Sequence, residues 1–140
     1  MSVLSWGVAE EMGNDFEGAG EPRLVLVVDD DACVRSLLAR AVSLCGHRAV
    51  QAGDGAEALE VVARFGPAIA AVLSDVRMPF IDGKQLAREL LATYPAIPVA
   101  LITSRDINAT DELHNVKHVI LKPFTVDALL EKLDDMLAAR

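Results

Sequence analysis

Cysteine is scarce in this 140-residue chain. The two present, Cys33 and Cys45, are too few for a disulfide scaffold. Both fall in a segment whose apolar spacing predicts a single helix. Twelve residues at 1.5 Å rise would hold them about 18 Å apart, beyond disulfide reach. The expectation is therefore two small buried side chains in a reducing cytoplasm. Long apolar runs are missing as well: nothing approaches the ~20 residues a membrane-spanning helix requires. The first 22 residues hold no Lys or Arg and no long apolar core, so they do not read as a secretory signal. Positive charge is in deficit, with 13 basic residues against 21 acidic ones and a net charge of −8. That disfavours nucleic acid as a direct partner, because its phosphates would be repelled. His47, His114 and His118 show no metal-ligand spacing and are expected to be solvated or partly buried.

What is present is a globular balance, 52% apolar and 24% charged, in a chain of about one domain's length. Residues 1–22 stand apart. They carry Glu10, Glu11, Asp15, Glu17 and Glu21 without a base, and so supply five of the eight excess negative charges. Val8, Met12 and Phe16 lie at helical i, i+4 spacing with Trp6 nearby, the pattern of a short docking helix. Gly13, Gly18 and Gly20 interrupt it, so the simpler expectation is a flexible acidic extension, 1–22, before a domain over 23–140.

From Arg23 the pattern alternates. Leu24 to Val28 is an unbroken apolar run of the kind found in strands covered on both faces. Residues 32–45 follow at helical spacing and Gly46 stops them. Arg48 to Ala52 is a second strand, and Gly53-Asp54-Gly55 turns into a helix over 56–65 that Gly66-Pro67 breaks. Ile69 to Leu73 is a third strand, Gln85 to Tyr94 a helix, Ile97 to Ile102 a fourth strand, Val119 to Leu121 a short fifth, and Val126 to Leu137 a closing helix. Five such alternations imply a parallel sheet, doubly wound with helices on both faces. In such sheets the site forms beyond the carboxyl ends of the strands.

Those ends carry the chemistry. Strand one runs into Asp29-Asp30-Asp31, strand three into Ser74-Asp75, strand four into Thr103-Ser104, and strand five into Lys122-Pro123-Phe124. Converging carboxylates repel one another unless a cation joins them, and oxygen donors of this kind suit Mg²⁺. A carboxylate beside Mg²⁺, a hydroxyl and a lysine describes phosphoryl transfer, with the carboxylate as nucleophile. A lone Asp pair at a helix start is ordinarily a cap, and a lone Lys-Pro a turn. Four polar groups at corresponding strand ends outweigh those simpler readings.

The motifs Val27-Val28-Asp29-Asp30-Asp31, Asp75-Val76-Arg77-Met78-Pro79 with Asp82-Gly83, Thr103, and Lys122-Pro123-Phe124 occur in an order that resembles the receiver domain of bacterial two-component response regulators, over about residues 22–139. The resemblance implies a flavodoxin-like sheet of order 2-1-3-4-5 with five helices. It implies that Asp75 accepts a phosphoryl group from the phosphohistidine of a histidine kinase or phosphotransfer protein. Asp30 would bind Mg²⁺ directly and Asp29 through water, with Asp75 and the backbone carbonyl of Arg77 as further ligands. Thr103 would hydrogen-bond the phosphoryl group and Lys122 would pair with it. Arg35, five residues after Asp30, sets the register and makes Asp31 a helix N-cap. It further implies a cytoplasmic protein, a monomer or weak homodimer, that is no enzyme beyond self-directed phosphotransfer and dephosphorylation. Its signal would pass to an output protein by contact or onward transfer.

Three features depart from the family pattern. Thr103 and Lys122 are only nineteen residues apart, and the polar stretch between them, Arg105 to Lys117, lacks glycine, so the fourth helix is expected to be short or irregular. The position of the family's switch aromatic is Val119. The positions two after the acceptor and two after the threonine are both arginine, Arg77 and Arg105, and one or the other is expected to touch the phosphoryl group and alter water access. These departures motivate an alternative, a receiver-like binding module that does not use phosphate. The chain stops right after the last helix, which reads as a stand-alone receiver, with a fragment of a hybrid histidine kinase as the other possibility. A flavin or nucleotide binder fails for lack of a glycine-rich phosphate loop after strand one. An enzyme acting on small phosphorylated molecules fails for lack of a cap domain.

Overall fold

A computed structural model of the chain describes residues 21–105 and 112–138. The acidic segment, apart from Glu21 and Pro22, lies outside the described residues. Strands β1 (Leu24–Val28), β2 (Arg48–Ala52), β3 (Ile69–Asp75), β4 (Val99–Thr103) and β5 (Val116–Leu121) alternate with helices α1 (Ala32–Leu44), α2 (Gly55–Phe65), α3 (Gly83–Thr93) and α4 (Val126–Ala138), with a 3₁₀ turn at Gly66–Ala68. All strand pairs are parallel and the order is β2-β1-β3-β4-β5, the flavodoxin-like arrangement.

The apolar runs are unbroken because each inner strand is buried on both faces. Val25, Val27, Leu73 and Ile102 pack with Leu38, Val42, Leu129 and Leu133 of α1 and α4. Their neighbours in sequence, Leu26, Val28, Val72 and Leu101, turn the other way onto Val62, Leu86 and Leu90 of α2 and α3. A period of two on one strand thus feeds two cores. Three aspartates start the helices. Asp31 accepts the N–H groups of Cys33 and Val34, Asp54 that of Glu57, and Asp82 that of Gln85, each cap worth about 1 kcal/mol. The Asp82 cap draws α3 forward to Gly83, two residues ahead of the Gln85 start that apolar spacing suggests.

Several expectations need correction. Four α-helices, rather than five, occur among the described residues. No helix stands between β4 and β5 there, and residues 106–111 lie outside the description. Leu113 and Asn115 are instead buried and the Val116 N–H donates to the Leu113 carbonyl at 3.0 Å, a tight turn leading straight into β5. That strand starts at Val116, three residues before the apolar triplet Val119 to Leu121. As a sheet edge it alternates more buried with exposed residues, and its first half, Val116-Lys117-His118, is therefore not an apolar run. Cys33 is exposed on the outer face of α1, and only Cys45 is partly buried, where burial and then Asp134 push its thiol pKa up. His47 is half-buried and its Nδ1 accepts the Arg23 N–H at 3.0 Å, while His118 meets Asp135 at 2.8 Å.

Candidate functional site

Strand register brings the polar ends into one row. Val28 pairs with Ser74, Asp75 with Ile102, and Thr103 with Leu121. The residues that follow β1 and β5 therefore stand beside Asp75, the last residue of β3. Lys122 N–H donates to the Thr103 carbonyl at 2.7 Å, so the lysine leaves the sheet edge next to the threonine. Its Nζ lies 3.3 Å from Asp75 Oδ1 and 3.5 Å from Asp29 Oδ2. The Lys122–Pro123 peptide is cis.

The acids are held in unlike ways. Asp29 is fully buried. Its Oδ1 accepts the Asp31 N–H at 2.9 Å, and its carbonyl accepts Arg35 Nη1 at 2.8 Å. Its Oδ2 is buried without a hydrogen bond, since 3.5 Å to an ammonium is an ionic contact only. Asp30 is exposed. Asp75 is buried, and its Oδ1 also takes the Val76 N–H at 3.0 Å. Carboxylate oxygens of Asp29, Asp30 and Asp75 all lie within 4.8 Å of one another. An all-oxygen donor set with one orphaned buried carboxylate oxygen fits a hard divalent cation such as Mg²⁺.

Charge in the cluster is unbalanced. Burial, then the carboxylate of Asp29, pushes the Asp75 pKa up, against the pull of Lys122 and the Val76 N–H. Burial works against the Lys122 ammonium, but Asp29 and Asp75 outweigh it and hold its pKa above the ordinary value. One cation between two buried carboxylates leaves net negative charge, the condition a divalent ion relieves. Beside the cluster opens a depression of about 490 Å³ lined by Asp30, Val76, Arg77, Met78, Pro79 and Asp82. Thr103 is buried, and its Oγ1 accepts the Arg105 N–H at 3.2 Å. Arg77 and Arg105 are both exposed.

Three supports were not assigned a mechanical role from sequence. Gly83 sits so close to β3 that a Cβ there would lie 2.3 Å from the Asp75 carbonyl oxygen. Only glycine lets α3 abut the end of β3. Arg35 ties α1 to the site by holding the Asp29 carbonyl, with its Nε 3.3 Å from Gln51 of β2. Phe80 is 94% exposed, with φ +69°, and the Ile81 N–H donates across it to the Pro79 carbonyl at 2.8 Å. It is the strained apex of a γ-turn at the rim of the depression. The motif Asp82-Gly83 was the sequence signal for the first and the Asp30–Arg35 spacing for the second. Phe80 left none.

A sequence model described as "Response regulator receiver domain" matches residues 25–134. Among curated proteins, the response regulator MprA of Mycobacterium leprae (strain TN) is 36% identical over 117 residues, 81% of this chain and 50% of that protein. MprA of Mycobacterium ulcerans (strain Agy99) is 35% identical over 117 residues, 81% of this chain and 49% of that protein. The chain thus spans about half the length of these relatives. Among solved structures, a response regulator receiver domain protein from Clostridium thermocellum superposes with a TM-score of 0.77 at 20% identity, covering 84% of this chain and 95% of that one. The receiver domain from hybrid histidine kinase CckA gives 0.71 at 30% identity, with 81% and 98% covered. The response regulator TrrA of Thermotoga maritima, solved in complex with Mg²⁺-BeF, gives 0.72 at 28% identity, with 82% and 99% covered.

Proposed function

Because this chain belongs to the receiver domain family of response regulators, we propose that residues 23–140 form a phosphoacceptor whose nucleophile is Asp75 and whose donor is the phosphohistidine of a histidine kinase or phosphotransfer protein. The observation that carries the reading is Lys122 bridging the carboxylates of Asp75 and Asp29 beside an open depression. Asp75 Oδ1 is engaged by Lys122 and the Val76 N–H, which leaves Oδ2 to attack phosphorus in line. The P–N bond of the donor breaks as the O–P bond forms, and the electron pair returns to the donor's imidazole. Lys122 then pairs with the phosphoryl oxygens, and the Thr103 hydroxyl donates to one of them. Asp29, Asp30, Asp75 and the Arg77 carbonyl would hold Mg²⁺, which when bound supplies positive charge to the transferring group. Arg77, which lines the depression, or Arg105 contacts the phosphoryl group and alters water access, so single Arg→Ala variants change the rate of phosphate loss.

The chemistry is self-directed, so the protein is a cytoplasmic signalling component rather than an enzyme with an external substrate. It acts as a monomer or weak homodimer and passes its state to an output protein by contact or onward transfer. Intact-mass spectrometry after incubation with Mg²⁺ and acetyl phosphate tests the proposal. One phosphoryl group gained by the wild-type chain and none by Asp75→Asn is expected; equal gain by both refutes the assignment. A second reading, a binding module indifferent to phosphate, draws support from Val119, a valine 39% exposed on β5 where the family carries its switch aromatic. It predicts that Asp75→Asn leaves affinity for the output partner unchanged with and without acetyl phosphate.

A further inference from the structure

β2 and β5 are the outer strands of the sheet, and they are guarded differently. β5 exposes Lys117 and slips its register against β4 between Val99 and Ala100, two devices that blunt an outer strand against further pairing. β2 keeps an unbroken register with β1 and has neither charge nor proline from Ala49 to Ala52. The Arg48 N–H donates to the Arg23 carbonyl at 2.8 Å, and the Ala52 carbonyl accepts the Asp29 N–H at 3.2 Å. In this parallel pair Arg48, Val50 and Ala52 therefore turn their backbone groups toward β1. Those of Ala49 and Gln51 point outward and have no partner among the described residues. Beside them, on the α2 face, opens a groove of about 940 Å³ with Val50, Val61 and Phe65 as its apolar lining and Glu57, Glu60 and Arg64 as its charged rim. We propose that β2 pairs antiparallel with β2 of a second copy of this chain, across a two-fold axis that passes Val50 perpendicular to the sheet.

A two-fold interface must be complementary to itself, and this one is. Under that axis Ala49 stands opposite Gln51 of the second copy, and each such pair exchanges both N–H···O bonds, which satisfies the outward backbone groups. Val50 meets Val50 in the close, non-hydrogen-bonded position. Both lie on the α2 face, so the two grooves merge into one apolar seam with Val61 and Phe65. The two α2 helices run antiparallel along that seam. Arg64, near the end of one, then faces Glu57 and Glu60 in the first turns of the other, and the reverse. A rim that carries both signs in this order suits an antiparallel copy of the same helix better than a peptide of one sign. β1 separates β2 from β3 and its Asp75, so pairing and phosphoryl transfer are separable.

Sedimentation equilibrium of the full-length chain, over a concentration series reaching about 1 mM, should show a reversible monomer–dimer equilibrium. Ala49→Pro removes an outward N–H without touching the ladder to β1. Arg64→Glu sets acid against acid across the seam. Each should weaken the dimer by about tenfold or more at low salt, the equivalent of ~1.4 kcal/mol, with the far-UV circular dichroism unchanged. Arg64 is exposed on α2, so its variant decides the matter if the proline variant fails to fold. In a Cys33→Ser, Cys45→Ser background, Val50→Cys should form a disulfide-linked dimer on mild oxidation, because opposed residues of this type lie about 4.5 Å apart at Cα. Gln51→Cys, opposite Ala49, should not. A chain that stays monomeric throughout the series overturns the proposal. So does a dimer that either folded variant leaves unchanged, which would place the contact on another face. Failure of Val50→Cys to cross-link a chain that does dimerise also overturns it.

Discussion

At the scale of single residues, the site is a place where charge works against the fold. An acid whose pKa rises on folding binds its proton more tightly folded than unfolded. Its favourable contribution is complete below the ordinary carboxylate range and is lost as pH climbs through the raised value. For Asp75, buried beside Asp29, this means that the ionised carboxylate opposes folding at neutral pH. Asp75→Asn, which keeps the Oδ1 acceptor for Val76 and Lys122, is expected to raise Tm by a few degrees at pH 7 without divalent ions, the shift that ~1 kcal/mol produces at this chain length. The gain should shrink below pH 4, and a thermal melt at the two pH values checks both. Phe80 is a second residue that stores free energy. An exposed aromatic at positive φ gains nothing from burial and strains its backbone, so Phe80→Gly should stabilise the chain by about 0.5–1 kcal/mol in urea titration.

At the scale of elements, α3 positions Asp75, the proposed acceptor. Its N-terminus rests against the last residue of β3 through Gly83, whose N–H also donates to the Val76 carbonyl at 2.8 Å. A methyl group 2.3 Å from the Asp75 carbonyl must push helix and strand apart, at a cost of about 1–3 kcal/mol. Gly83→Ala should lower stability by that amount in chemical denaturation and slow phosphorylation of Asp75 by acetyl phosphate. Asp82→Ala removes only the cap and should cost about 1 kcal/mol without displacing the strand. A Gly83→Ala variant that phosphorylates at the wild-type rate would show that the contact is not what positions Asp75. The α2 start makes a parallel contact, since a Cβ on Gly55 would lie 2.4 Å from the Ile81 carbonyl oxygen. Two glycines thus clamp the loop that borders the depression.

At the scale of the whole molecule, the two edges of the sheet respond to different solutes. A divalent ion that binds only the folded acid cluster should stabilise the chain by about 2.7 kcal/mol at a hundredfold excess over Kd. A Mg²⁺-dependent rise in Tm that chelator reverses and Asp30→Asn abolishes is the expected outcome. The other edge responds to protons. Burial, then Arg23, lowers the His47 pKa, with Asp134 acting in the opposite sense, and the neutral ring accepts the Arg23 N–H. A base with a lowered folded pKa contributes stability that is complete above its unfolded value and lost as pH falls through the folded one. Stability should therefore drop below about pH 6.5, and His47→Gln, which keeps an acceptor, should flatten that part of the profile.

The sheet and the row of polar residues at the strand ends were legible in the sequence because doubly covered strands must be continuous apolar runs, and because polar residues directly after such runs can only emerge at one edge. Asp29, Asp30, Asp75, Thr103 and Lys122 follow from that logic, and Asp31 as a cap follows from its place before α1. The start of β5 did not, since an edge strand alternates and imitates a loop. Neither did the exposure of Cys33, because helical spacing alone does not say how wide the covered stripe is. Sequence by itself determined the order of elements, the sheet type and the chemical character of the site, all of which depend on local pattern and hydrophobic burial. Only the tertiary structure decided which carboxylate oxygen stands orphaned, that Lys122 spans Asp29 and Asp75, and why position 83 must be glycine. Those are distances between segments far apart in the chain, fixed by packing that no local pattern encodes.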